Sequence, residues 1–263
     1  MYNIKEFFAV LNKIAPIDLS LKMIESGSYD NSGIIIFSHE EVKKVLFSLD
    51  LSLETVNQAK FCGCDTVVTH HPAIYHPVNN LSINGDTAAV ILAAKEGLNV
   101  ISMHLNLDVA KSGIDFCLAK GLGGKDIEII ELLSDEIGYG RKFEAGKTLG
   151  EIEDIAKKNF QTERVIVYGD KKAKVIKAAS FCGGGYGDAE KALTAGKLED
   201  TQAVITSDMP HHGIKRFVEA GKNIILLTHY AAENYGFKMF YENIKTSVSH
   251  KAETQYFEDK RFM

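Results

Sequence analysis

One alternation of strands and helices is written twice along this chain, and that doubling restricts the possible folds more than any other feature. DTVVTHHP (65–72) faces QAVITSDMP (202–210), and NVISMHLNLD (99–108) faces NIILLTHYAAE (223–233). SGIIIF (32–37) and RVIVYG (164–169) read as strands opening the two halves. Helical stretches follow in matching order: LETVNQAKF (53–61) and DTAAVILAAKEG (86–97) in the first, GDAEKALTAG (187–196) and HGIKRFVEAG (212–221) in the second. Even the preludes IKEFFAVLNKIAP (4–16) and TLGEIEDIAKKNF (148–160) correspond, and DIEIIE (126–131) and ETQYFED (253–259) both read as short strands after a helix. Strands separated by helical segments of this length specify an α/β fold. Two long copies, unlike many short ones, exclude a solenoid. The expected architecture is therefore two similar α/β lobes from an internal duplication, 1–135 and 136–263. The boundary is expected in the charged, glycine-bearing stretch around SDEIGYGRKFEAG (134–146).

Bulk properties remove several function classes. At 263 residues the chain can bury a sizeable core, and a net charge of -5 argues against a basic nucleic-acid face. No apolar run approaches the roughly 18 residues a membrane helix needs. The amphipathic, early-acidic N-terminus does not read as a signal peptide, so a cytoplasmic protein is expected. The 4 cysteines lack a framework, and Cys62-Gly-Cys64 has no second pair to complete a thiolate metal site. They are expected as reduced thiols.

Chemistry gathers at the strand ends. In parallel α/β sheets ligands bind outside the carboxyl ends of the strands, where loops aim side chains without disturbing the core. His70 and His71 close one such strand; His104 and Asp108 leave the next as HLNLD. The second copy places Asp208, His211 and His212 after one strand, then His229 and Glu233 as HYAAE after the other. Residues four apart share a helix face, so imidazole and carboxylate converge in both His-x-x-x-acid segments. Together these donors exceed what one tetrahedral metal needs, and imidazole plus carboxylate suits zinc, iron, nickel or manganese. Taken singly, each has an ordinary alternative as a strand-end histidine or a solvated helix-start acid. The expected site lies in a cleft between the lobes. The first copy also carries an extra loop, AIYHPVNNLSINGD (73–86), which starts at the histidine pair; two readings are open for it, a cover over the site with Tyr75 and His76 on substrate, or a tolerated insertion. FCGGGYGD (181–188) lacks the lysine and hydroxyl of a phosphate loop, so its glycines are expected to serve strand–helix packing.

In VVTHHP, MHLNLD and THYAAE the chain resembles the NGG-interacting-factor-three-like family, many of whose members are labelled GTP cyclohydrolase 1 type 2 homologues. The resemblance covers essentially the whole length and includes YDNSGIIIF (29–37). It implies a two-lobed α/β protomer, two divalent metal ions held between the lobes, and a homo-oligomer, a toroidal hexamer. It implies His70, His71, Asp108, His229 and Glu233 as metal ligands, with His104 as the proton-shuttling catalytic residue. Asp208 or His212 would orient the ligands or contact substrate. The chain departs from the family at Thr228, where glycine is common, at Ala232, where a hydroxyl residue is common, and at Ser207 in place of glycine. None of these removes a ligand.

The implied function is metal-dependent hydrolysis, in the named reaction the opening of the guanine imidazole ring of GTP with release of formate. The competing readings are a metal-dependent phosphoesterase and a non-catalytic metal-binding scaffold or regulatory protein.

Overall fold

Asn3 opens the first helix with a capping box, its carboxamide accepting from the following turn while Glu6 reaches back to the Asn3 N–H. Thr148 and Glu151 repeat that device far down the chain. Each helix then buries a stripe at helical spacing, Ile4, Phe7 and Leu11 in one, Leu149, Ile152, Ala156 and Phe160 in the other. In the computed structural model, residues 1–134 and 136–262 are described. In chain order the elements are β1 (Tyr2–Asn3), α1 (Ile4–Ile14), α2 (Ile17–Glu25), β2 (Gly33–Ile36), β3 (Glu41–Val42), β4 (Lys44–Ser48), α3 (Leu53–Cys62), β5 (Thr66–Thr69), α4 (Ala88–Lys95), β6 (Asn99–Ser102) and α5 (Leu105–Val109). There follow α6 (Ile114–Gly121), β7 (Lys125–Ser134), β8 (Ile137–Thr148), α7 (Leu149–Phe160), β9 (Ile166–Tyr168), β10 (Lys174–Ser180), α8 (Tyr186–Thr194), β11 (Ala203–Thr206), α9 (His211–Glu219), β12 (Asn223–Leu226), α10 (His229–Val248) and β13 (Glu253–Tyr256).

The chain divides into two compact units, one of Met1–Ala110 with Phe237–Lys260, the other of Lys111–Gly236 with the last residues from Arg261. In the first unit a five-stranded sheet runs β13-β4-β5-β6-β2. β4, β5 and β6 are parallel and in register, with α3 and α4 as crossovers, and β2 adds antiparallel to β6. β5 and β6 are buried along their length, as expected where both sheet faces are covered. Leu46, Val67 and Val100 of the sheet pack with Val56, Ala59 and Ala93 of the crossover helices. Fully burying each of the larger side chains contributes about 1.5–3 kcal/mol.

In the second unit a six-stranded sheet runs β7-β8-β10-β11-β12-β9. Here β10, β11 and β12 are the parallel strands, α8 and α9 the crossovers, and β9 the antiparallel strand added beyond β12. Ala179, Val204 and Ile224 pack with Ala189, Ala192 and Phe217. Each sheet thus holds three parallel strands in chain order and an antiparallel strand that precedes them in sequence.

Two expectations about organisation need correction. The expected boundary after residue 135 falls on a position outside the described residues, and the strands flanking it, β7 and β8, pair with each other inside one unit. The glycine-rich stretch is strand because its glycines answer close approaches. A Cβ at Gly138 would collide with the Glu131 carbonyl across the pair, and Gly140, at φ +72°, lies against the Phe181 ring. The units separate instead at Ala110 and Lys111, before α6. The two terminal strand candidates are also not equivalent. DIEIIE lies in β7, antiparallel to β8, whereas ETQY is β13, which returns to the first unit and pairs parallel to β4.

Candidate metal centre

In the first unit the carboxyl ends of β4, β5 and β6 carry the chemistry. The chain leaves β5 through His70 and His71, whose backbone N–H groups both donate to the Leu49 carbonyl, at 3.1 and 3.0 Å. The Thr69 hydroxyl donates to the His71 carbonyl at 2.7 Å and fixes the turn. His70 is fully buried, and its Nδ1 lies 2.8 Å from the Met103 carbonyl. A carbonyl only accepts, so that nitrogen carries the proton and Nε2 bears the lone pair. Nε2 lies 3.4 Å from Asp108 Oδ1. His71 Nδ1 lies 2.6 Å from Asp50 Oδ1, just past the end of β4. His104 follows β6, with its N–H on Ser32 Oγ at 3.0 Å and its Nδ1 2.7 Å from Asp30 Oδ1.

Asp30 has no exposed side-chain surface. Burial pulls its carboxyl upward, yet hydrogen bonds from His104 and Ser32 outweigh this and hold it below the ordinary aspartate range. Its other oxygen accepts from the Ser20 and Ser32 hydroxyls. One donor atom from each of His70, His71 and His104 lies within 4.8 Å of the others.

In the second unit, His229 is the first residue of α10, and Thr228 caps that helix by accepting from the Ala231 N–H at 3.2 Å. Thr228, in place of glycine, thus supplies a helix cap. His229 Nδ1 lies 2.5 Å from Asp208 Oδ2, and its Nε2 lies 3.0 Å from Glu233 Oε2 one turn on. Asp208 holds a left-handed φ of +49°, which turns the chain after β11. Gly183, at φ +54°, lies where any Cβ would strike Glu233 Oε1 and come 3.3 Å from His229 Nε2. The triple-glycine loop thus makes room for a buried carboxylate, and Gly185 packs under Phe181 and Tyr139.

All four imidazoles have Nδ1 anchored on an oxygen, which aims Nε2 outward in the tautomer that ligates metals. The donor set fits a divalent cation on a further count. In the His70–Asp108 and His229–Glu233 pairs, an anchored imidazole turns its lone pair toward a carboxylate. Such a pair requires a positive charge between its members, a second ring proton or a metal ion.

HYAAE forms the expected one-turn pair. HLNLD does not, because His104 stands at the cap of α5 with non-helical dihedrals (φ -104°, ψ -107°), and Asp108 turns to His70 while His104 turns to Asp30. His212 is exposed on α9 with its ring against Tyr186 (centroids 5.9 Å apart), whereas Asp208 is the residue on His229. Tyr75 lies against His104, centroids 5.8 Å apart.

Sequence reasoning missed Asp30 and Asp50. Asp50 obeys the carboxyl-end rule and was within its reach. Asp30 precedes an antiparallel strand, whose start lies at the same sheet edge as the parallel strands' ends. Gly33 pairs with Ser102, two residues before His104.

The Duf34/NIF3 (NGG1p interacting factor 3) family profile matches residues 2–260. A GTP cyclohydrolase 1 type 2 homolog of Clostridium perfringens is 27% identical over 241 residues, covering 88% of this chain and 86% of its relative. One from Staphylococcus aureus is 40% identical over 109 residues, which cover 41% of this chain and 30% of that protein. Among solved structures, the Bacillus cereus protein related to NIF3 aligns with a TM-score of 0.85 at 17% identity, covering 98% of this chain and 97% of that one. The Staphylococcus aureus hypothetical protein SA1388 aligns with a TM-score of 0.84 at 24% identity, covering 98% and 96%. Among the described residues no helix is long and apolar enough to cross a membrane.

Proposed function

We propose that this chain, which belongs to the Duf34/NIF3 family, is a hydrolase working with two divalent cations held jointly by donors from both units, themselves copies of one ancestral fold. The shared order of four strands, β4-β5-β6-β2 in one sheet and β10-β11-β12-β9 in the other, supports the duplication. The assigned reaction is hydrolytic opening of the guanine imidazole ring with release of formate, following the name its relatives carry. A toroidal homohexamer is the assembly that the family resemblance implies.

The carrying observation is the anchoring of His70, His71, His104 and His229 through Nδ1. His70, His71, Asp108, His229 and Glu233 are assigned as ligands; zinc, iron, manganese and nickel all suit them. When bound, such cations acidify a coordinated water toward neutrality and polarise the electrophile. Asp50 and Asp208 keep His71 and His229 in the ligating tautomer. His104, clamped by Asp30 in one orientation, accepts a proton at Nε2 from the attacking water and returns it to the departing ring nitrogen. One water adds to C8 across the C8=N7 bond and the C8–N9 bond breaks, leaving a formamide on N7; a second water then hydrolyses the formamide, the C8–N7 bond breaks and formate leaves.

The test is to load purified protein with Mn, Fe, Ni or Zn, measure metal per chain, and assay formate release from GTP. Turnover that depends on added metal and is lost in His104→Gln, with metal content unchanged, is expected. If every metal binds but neither GTP nor a phosphodiester turns over, and chelation dissociates the oligomer, the cations are structural.

A further inference from the structure

The loop after His71 is more than a tolerated insertion. In the second unit the chain passes from β11 to α9 through residues 207–210 alone, whereas in the first it takes residues 70–87 to pass from β5 to α4. Closing the crossover therefore does not require the extra length. Its start is tied to the segment that carries Asp30: the Asn31 side-chain amide donates to the Ile74 carbonyl at 2.5 Å, and the Tyr75 hydroxyl donates to the Tyr29 carbonyl at 3.3 Å.

That tether assembles a cluster of rings. The His76 imidazole lies 4.5 Å, centroid to centroid, from both Tyr29 and Tyr75, and the two tyrosines are 5.3 Å apart. Tyr75 then meets the His104 ring edge to face, at 89°. A cluster serving only the core would be buried, yet Tyr29 and Tyr75 remain 42% and 41% exposed. Aromatic surface held rigidly beside a reactive imidazole is what stacks a planar π-system, since every heterocycle presents a polarisable face whatever its substituents.

We infer that Tyr29, Tyr75 and His76 form the subsite for a planar heteroaromatic ring of the substrate, placing that ring beside His104. This rests on the hydrolase reading above and adds what selects the substrate: the base, with phosphates contributing affinity elsewhere.

The test is calorimetric titration of the metal-loaded protein with guanosine and, separately, with inorganic tripolyphosphate. Tyr75→Ala and Tyr29→Ala should each weaken guanosine binding about tenfold or more. Tyr75→Phe, which keeps the ring and the Asn31–Ile74 bond but loses the hydroxyl bond to Tyr29, should bind guanosine more tightly than Tyr75→Ala, and the exposed His76→Ala serves as a third probe should a tyrosine variant fail to fold. Tripolyphosphate affinity and metal content should not change in any of them. The inference is overturned if wild-type protein does not bind guanosine, if the alanine variants bind it as tightly as wild type, or if they lose tripolyphosphate equally. Guanosine binding that depends on Tyr75 without any formate release would overturn the assigned reaction and leave the subsite standing. Formate release with an unchanged KM in Tyr75→Ala would do the reverse.

Discussion

Gly183 lies against Glu233 so closely that a single added carbon at residue 183 would occupy the space of the carboxylate oxygen. Its φ of +54° adds a backbone strain that an alanine would carry, about 1–2 kcal/mol. Gly183→Ala should therefore lower the thermal midpoint modestly and push Glu233 off His229. Elemental analysis should find less metal per chain than in wild type. Full metal occupancy in a folded Gly183→Ala protein would remove Glu233 from the ligand set.

Asp208 holds His229 through Nδ1 from a left-handed backbone position that asparagine also tolerates. Asp208→Asn should keep the turn and lose the carboxylate. Metal affinity, measured by competition with a chelator, should fall by roughly 10–100-fold, the usual cost of removing an outer-shell partner. His212→Ala, altering a ring that meets Tyr186, should leave it unchanged.

Asp30 acts on His104 in the same manner but from the proton-transfer side. Asp30→Asn should leave metal per chain near wild type and reduce kcat by roughly 10–100-fold. A parallel loss of metal would make His104 a ligand, in keeping with its closeness to His70 and His71.

Asp115, buried on α6, offers a pH signature. Burial raises its carboxyl to about 6, against the lowering influence of Arg141 (Nε to Oδ2, 3.3 Å) and of backbone hydrogen bonds from Cys182 and Gly140. A carboxyl whose folded pKa is raised binds its proton more tightly in the folded state. Its contribution to stability therefore grows as pH falls from about 6 toward 4, by up to about 3 kcal/mol, and is absent above. Urea unfolding at pH 7 and at pH 4.5 should show this increment in wild type but not in Asp115→Asn. Equal pH dependence in the two proteins would refute the raised value.

The strands, the crossover helices and the donors at strand ends were legible because buried parallel strands read as apolar runs, and the residues leaving them are polar for a reason. Asp30 was hidden because its strand runs the other way: no local pattern says that the start of β2 shares an edge with the end of β6. The unit boundary was misread because Gly138 and Gly140 look like linker glycines, whereas both answer close contacts within the β7–β8 pair. DIEIIE and ETQYFED looked alike because strand propensity is local, while the choice of partner strand is set by distant chain. His212 was a candidate by adjacency to Asp208, yet α9 turns it toward Tyr186.

β13 completes the first unit's sheet beside β4, with Glu253 opposite Lys44 and Tyr256 opposite Phe47. On the ribosome, therefore, one flank of β4 stays without its neighbour until β13 has emerged, while residues 111–236 can already close their own sheet. A nascent chain stalled before residue 253 would display a bare strand edge to chaperones, so the N-terminal half, though made first, is finished last.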